Sequence, residues 1–404
     1  MFKILSLDGG GSWAIIQLLT LKDRYGNIKG HDLLQKFDLV IANSGGSIVL
    51  AALAENYTLN EAIALFKLKE NRTLIFHKNR FADRFFPVDY LRLIGIGFGP
   101  KYSSKKKKEA FEHLFPNIDK LQMSELPLAI GKASLKLVVC TYDALNNRAK
   151  FFKSYIGGEH GHDSVRLTQA INGSSNAPVQ YFDFPVRFKA KDSEIFYELW
   201  DGALGGFNNP VLSGIIEAYK LGIELNNIRV VSLGTSNSLM SLHDKTKFWN
   251  WKQTAQQFRR KKLHFLKLGH QLKFFQATVF NQAKTILYQP PDTANYIAMM
   301  FLRATTGQTP KENMIRLSPL IHFDQQTPTE VIPLIEKLYQ LDMDVTKDEE
   351  VLTLLECYEA WKNGHIYNQP IEFKVERNND LRCIEGNKTY KDGMERWRKW
   401  ESAS

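Results

Sequence analysis

The chain has 404 residues and a mass of 46.4 kDa, enough for one large domain or two ordinary ones around a substantial core. Hydrophobic residues at 44% and charged residues at 24% exclude a largely disordered chain, and three widely spaced cysteines (Cys140, Cys357, Cys383) exclude a disulfide scaffold and fit a reducing compartment. The 53 Lys and Arg against 43 Asp and Glu leave a formal charge of +10, which favours anionic partners such as phospholipid surfaces or nucleic acid.

Phe2–Leu7 (FKILSL) runs straight into Asp8-Gly9-Gly10-Gly11, and its part Ile4–Leu7, cut off by Asp8 and the glycines, reads as a short buried strand. A secretory leader would need a charged stretch, an apolar stretch and a small-residue cleavage site in its place. No segment offers the roughly 20 apolar residues of a membrane-spanning helix; the run Leu39–Ala54 is interrupted by Asn43, Ser44, Gly45, Gly46 and Ser47. The expectation is a cytoplasmic protein that meets membranes peripherally, and an effector exported without a signal peptide would look the same.

Ile15–Tyr25 has helical spacing and is ended by Gly26-Asn27. Phe37–Ala42 reads as a second strand, Asn43–Gly46 as a sharp turn, and Ser47–Glu55 as an alanine-rich helix. Strands alternating with helices predict a parallel sheet with right-handed crossovers. Further strands are expected at Lys136–Tyr142, Phe196–Trp200 and Ile228–Leu233, the last running into Gly234-Thr235. Lys105–Lys108, in a basic insertion before Lys136, reads as an exposed lysine loop. After Gly234 the pattern becomes helical, over Phe248–Tyr288 and again over Thr329–Trp361. The fold class is α/β, divided into residues 1–240 and a mainly helical region, 241–404, packed on them.

The turn Ile41-Ala42-Asn43-Ser44-Gly45-Gly46 has the form of a nucleophile elbow. A serine on a tight strand-to-helix turn projects its hydroxyl from the sheet edge, and the following helix aims its N-terminal dipole at the site. Ala42 stands where the GxSxG form has its first glycine. Upstream, Gly9, Gly10 and Gly11 let backbone N–H groups converge on a phosphate or a developing oxyanion, or make a plain tight turn. A dinucleotide fingerprint would need glycine at Ala14, and a P-loop would need a GK[ST] ending. Asp201 ends an apolar strand before Gly202-Ala203, as a partly buried carboxylate or as a surface turn. Asn208-Asn209-Pro210 reads as a helix start, with Asn209 as cap and Pro210 at the first position of Val211–Leu221.

No group of residues has metal-ligand spacing, and no cofactor is expected. An ordinary α/β-hydrolase would need a histidine after Asp201. His264 and His270 sit in a basic helical stretch, and His243, His322 and His365 lack a glycine-flanked loop. His160 and His162 read as a polar loop rather than a metal pair. Arg259–Lys262, followed by Leu263, Phe265, Leu266 and Leu268, reads either as a surface for anionic headgroups or as a helix with one core face. Nothing has the form of a nucleic-acid-binding module.

Taken together, Asp8–Gly11, the Ser44 elbow one βαβ step later, and Asp201-Gly202-Ala203 followed by Asn208-Asn209-Pro210 resemble the patatin-like phospholipases. The resemblance extends to Lys101-Tyr102, to Ser174–Pro178 with Tyr181-Phe182, and to Ser232–Thr235, covering roughly residues 2–240. Trp13 stands where that family usually places Arg or Lys. The resemblance implies a three-layer α/β/α fold with a mostly parallel central sheet, plus a helical C-terminal extension. It implies a Ser-Asp dyad without histidine, with Ser44 as nucleophile, Asp201 as base, and the N–H groups of Gly9, Gly10 and Gly11 as oxyanion hole. The activity implied is hydrolysis of fatty-acyl esters of membrane phospholipids, of phospholipase A or lysophospholipase type, at a phospholipid surface and without metal, cofactor or nucleic acid. Some relatives stay inactive until a second messenger or a protein binds, so the residues after 240 are candidates for such a switch. The reading from another class is a lipid- or nucleotide-binding module whose elbow is vestigial.

Overall fold

A computed structural model of the chain describes residues 1–78, 100–155, 164–178, 181–191, 195–236, 290–304, 313–321, 327–373 and 383–402. The helix expected over 248–288, with its Arg259–Lys262 run, lies outside the described residues, as do His160, His162, His243, His264, His270 and His322.

Among the described residues, eight strands form the main sheet: β1 (Phe2–Leu7), β2 (Leu39–Asn43), β3 (Lys136–Asp143), β4 (Arg148–Lys153), β5 (Val186–Lys189), β6 (Phe196–Asp201), β7 (Ile228–Leu233) and β8 (Met314–Leu317). The order is β5-β6-β3-β2-β1-β7-β8, with β4 also paired to β3. The run from β3 to β8 is parallel throughout, and the ladders made by β4, β5 and β6 are antiparallel.

Successive side chains on a strand point to opposite faces. Leu5, Leu7, Val40, Ala42, Leu137 and Val139 belong to one core, shared with the helices Ile15–Tyr25 and Ser44–Ala54. Ile4, Leu39, Ile41, Val138, Cys140 and Val230 belong to the other, shared with the helices Val211–Lys220 and Pro290–Ala304. The central strands are therefore buried on both faces, which is why they read as continuous apolar runs rather than as alternating patterns. The result is the three-layer α/β/α arrangement with a mostly parallel sheet.

Residues beyond 240 enter this architecture directly. β8 extends the sheet past β7, and Leu354, Trp361 and Trp397 join the same core as Leu5 and Leu7. Where a continuous helical stretch was expected over Thr329–Trp361, two helices, Ile332–Gln340 and Asp348–Lys362, flank an irregular segment. The elbow helix begins on Ser44 itself rather than on Ser47. At the helix Val211–Lys220, Pro210 occupies the cap position, and Asn209 Oδ1 accepts the Val211 N–H at 3.0 Å.

β8 also brings a buried charge. Arg316 pairs with Asp8, at the end of β1, across 2.7 Å and donates to Ser232 Oγ at 2.8 Å, with both charged side chains almost wholly enclosed. Removing one member of such a pair strands the other charge in the interior, at a cost of about 3–5 kcal/mol. Arg316→Met should lower the unfolding free energy by about that amount in denaturant titrations, and Asp8→Asn in the same chain should recover part of the loss.

Candidate active site

The site is set by how β3 shares its edges. β4 occupies one edge from Val138 to Asp143. On the other edge, β2 pairs with Lys136 to Cys140 and β6 takes over from Thr141 to Asp143. β2 thus ends on Asn43 opposite Cys140, while β6, running the other way, ends on Asp201 opposite Thr141. The two strand ends meet head to head. Ser44 follows one of them and Asp201 closes the other.

Ser44 adopts φ 48°, a left-handed backbone that costs an L-residue roughly 1–2 kcal/mol and is retained where surroundings enforce it. Its N–H donates to Ser174 Oγ at 2.9 Å, Ser174 Oγ lies 3.4 Å from Asn43 Oδ1, and Ser47 Oγ donates to the Ser44 carbonyl at 2.6 Å. A Cβ at Gly45 would stand 2.4 Å from the Gly11 carbonyl oxygen. The elbow reaches the glycine loop because residue 45 has no side chain.

The Asp201 carboxylate accepts hydrogen bonds from Asn43 Nδ2 at 3.1 Å and from the Ala203 N–H at 2.9 Å. Its own N–H donates to the Asn176 carbonyl at 3.1 Å. Ser174–Pro178 therefore supports both members of the pair, Ser44 through Ser174 and Asp201 through Asn176. Asp201 is only 2% exposed. Burial pushes its carboxyl above the ordinary aspartate range, against the pull of the neighbouring Ser44 side chain, of the bonds from Ala203 and Asn43, and of the nearby Lys107 charge.

Lys107 corrects the expectation for Lys105–Lys108. The run lies on the helix Ser104–Leu114, and only Lys107 falls on the face it shares with Ala110, Phe111 and Leu114. Its side chain is fully buried; Nζ donates to the Asn172 carbonyl at 2.9 Å and to Ser175 Oγ at 3.4 Å, and lies 4.1 Å from the centre of the Phe182 ring. Burial drives its ammonium well below the usual lysine range, opposed by the charges of Asp201 and Asp183. Sequence spacing held the signal, since positions 107, 110, 111 and 114 follow helical periodicity.

In the glycine loop, the Gly9 N–H is committed to the Asn208 carbonyl at 2.8 Å, and the Gly9 carbonyl accepts from Thr235 Oγ1 at 2.5 Å. The bond to Asn208 sets the Gly9 amide apart from the expected set of three. Gln17, which the sequence did not single out, ties the ends of β1 and β7 together through Nε2, donating to the carbonyls of Asp8 and Leu233 at 2.9 Å each. Trp13 is buried and donates its indole N–H to the Asp342 carbonyl at 3.1 Å.

Ser44 and Gly11 line a small cleft. Ile48, Ile75, Phe76, Ala177, Phe182 and Met343 make its walls largely apolar, and Lys107 is its sole charged lining residue among those described. No histidine is among the described lining residues, and no described group of three or more His, Cys, Asp or Glu is placed to hold a metal ion. No helix among the described residues is long and apolar enough to cross a membrane.

The family model of the patatin-like phospholipases matches residues 5–215, a stretch that holds the glycine loop, Ser44 and Asp201. The chain belongs to the patatin-like phospholipase family. A cUMP-AMP-activated phospholipase of Escherichia coli is 25% identical to this patatin-like chain over 240 residues, which make up 57% of this chain and 64% of the relative. The chain thus covers less than two thirds of that relative's length. Among solved structures, VipD from Legionella pneumophila aligns over 89% of this chain and 67% of its own, at 13% identity and a TM-score of 0.36.

A carboxyl whose pKa is raised on folding penalises the folded state above that pKa, and the penalty fades as pH falls toward the unfolded value. Asp201→Asn removes the penalty yet keeps an oxygen for Asn43 and Ala203. The melting temperature of the variant relative to wild type should therefore climb as pH rises from about 4 to 7, measured by calorimetry across that range.

Proposed function

We propose that the protein hydrolyses fatty-acyl esters of membrane phospholipids, with Ser44 as nucleophile and Asp201 as its base. The observation that carries this reading is the meeting of two strand ends, which sets Ser44, one residue past β2, beside the buried Asp201 carboxylate that closes β6 and bonds to Asn43 Nδ2 at 3.1 Å. A free aspartate, with a pKa of about 3.9, is a poor base for a serine hydroxyl; an enclosed one is stronger and better aligned. The apolar lining of the cleft suits an acyl chain, and an acyl chain seated there would exclude water and strengthen the electrostatic contacts around Ser44.

In the proposed reaction Ser44 Oγ attacks the ester carbonyl carbon while its proton passes to Asp201. The tetrahedral oxyanion meets the amides of Gly10 and Gly11. Collapse breaks the bond to the alcohol oxygen, which takes the proton from Asp201 and leaves as lysolipid or glycerol derivative. Water then attacks the acyl-enzyme, gives its proton to Asp201, and releases the fatty acid as Ser44 regains its hydrogen. No step needs a histidine.

The proposal includes a phospholipid surface as the site of action and an activating second messenger or protein, a kind of control that the name of the Escherichia coli relative carries. Purified protein incubated with mixed phospholipid vesicles, with and without cUMP-AMP or cell lysate, should release fatty acid detectable by mass spectrometry. Ser44→Ala should abolish release and the stoichiometric labelling of wild type by a fluorophosphonate; release that persists in this variant sinks the assignment. Asp201→Asn should lower kcat by at least about 100-fold, and the rise of wild-type kcat/KM with pH should have its midpoint above the usual aspartate value.

A further inference from the structure

The segment Leu341–Thr346 lies outside the stretch matched by the family model, yet it touches the site at three points. Its Met343 carbonyl accepts the Ser12 N–H at 3.0 Å, its Asp342 carbonyl accepts the Trp13 indole N–H at 3.1 Å, and its Val345 carbonyl lies 3.4 Å from Ser12 Oγ. All three contacts fall on the two residues that follow the glycine pair. The approach is close: a Cβ on Gly11, whose φ is +56°, would stand 2.6 Å from the Met343 carbonyl oxygen. Met343 also lines the cleft beside Ser44.

The segment is fastened at its far side. Lys101 Nζ lies 3.2 Å from Asp342 Oδ2 and 3.0 Å from Asp344 Oδ2. The Tyr102 and Tyr181 hydroxyls donate to Asp344 and Asp342, respectively. One ammonium and two phenols thus grip two carboxylates on a stretch of six residues. This also accounts for the irregular break between the two C-terminal helices, since continuing either helix would withdraw those carboxylates.

Consecutive glycines have more backbone freedom than any other residues, and an oxyanion hole works only where its donors are already aimed before reaction. The peptide between Gly11 and Ser12 is fixed by the Met343 carbonyl, so the segment decides how the neighbouring amides point. We propose that Leu341–Thr346 is a positioning element of the oxyanion loop, clamped through Lys101, Tyr102 and Tyr181 and joined to the loop by Ser12 and Trp13. This inference rests on the Ser44–Asp201 reading above. It gives the C-terminal region a part in turnover: the region holds the transition-state donors still, while making no bond to substrate.

The test uses the full chain with two changes, Trp13→Phe, which deletes the indole donor and keeps a ring, and the double variant Asp342→Asn/Asp344→Asn, which weakens the clamp away from the reacting atoms. On phospholipid vesicles, each should lower kcat by about 10-fold with KM within about 2-fold of wild type, a smaller loss than removing an oxyanion donor outright. The Ser12 amide should also exchange hydrogen faster in the double variant. A rise in kcat on unfastening would overturn the inference and make the segment a lid over the cleft. Unchanged kcat despite faster exchange would overturn it too. Unchanged exchange at Ser12 in the double variant sinks the inference even where wild type releases no fatty acid, whereas absence of Ser44 labelling in wild type counts against the dyad reading alone.

Discussion

Everything at the site depends on two strands sharing one edge of β3. β2 yields its place after Cys140, β6 enters from the opposite direction at Thr141, and their last residues, Asn43 and Asp201, are left within 3.1 Å through Asn43 Nδ2. The arrangement is stiff, because both strands are fixed by backbone ladders whose register is set by burial on the sheet faces. A serine placed one residue past β2 then has little choice of neighbour. A Cβ on Gly202 would come within 2.4 Å of Asn43 Oδ1, so even the turn after Asp201 is shaped by how tightly the two ends abut.

Burial acts on the two ionisable groups beside the cleft from opposite sides. It raises the Asp201 carboxyl and lowers the Lys107 ammonium, and each charge partly restores the other. An isolated buried lysine is costly, and here it is offset by the Asn172 carbonyl, Ser175 Oγ and the face of Phe182. Asn172 lies in the last turn of the helix Leu167–Ser174, where the carbonyl ends of the backbone dipoles favour a cation. Lys107 thus satisfies the end of that helix while setting the field in which Asp201 works.

Much of this was legible in the sequence wherever local chemistry and tertiary context agree. The strand over Ile228–Leu233 and the helix over Ile15–Tyr25 have the limits their apolar spacing predicts, and β1 begins at Phe2, ahead of the expected Ile4–Leu7. Ser44, Asp201 and the glycine run could be nominated because each sits at a strand end marked by small residues. What stayed hidden depends on contacts between distant segments. β4 (RAKFFK) carries three cations in six residues and is a strand only because β3 offers it an edge. β8 is four residues long and exists as an extension of β7. The commitment of the Gly9 N–H to Asn208, the grip of Lys101 on Asp342 and Asp344, and the pairing of Arg316 with Asp8 all join residues far apart along the chain. No window of local sequence contains both partners.

Trp13 and Asp342 meet across 329 positions of sequence. Closing so wide a loop is slow compared with forming nearby turns and helices. During synthesis Ser44 emerges before Arg316 and Asp342, so the last part of its frame follows it. A chain interrupted between these segments would therefore carry Ser44 and Asp201 without the arginine that neutralises Asp8 or the carbonyls that hold the glycine turn. The conformation of the glycine turn is thus completed only by residues made long after it, Arg316 and Asp342 to Val345.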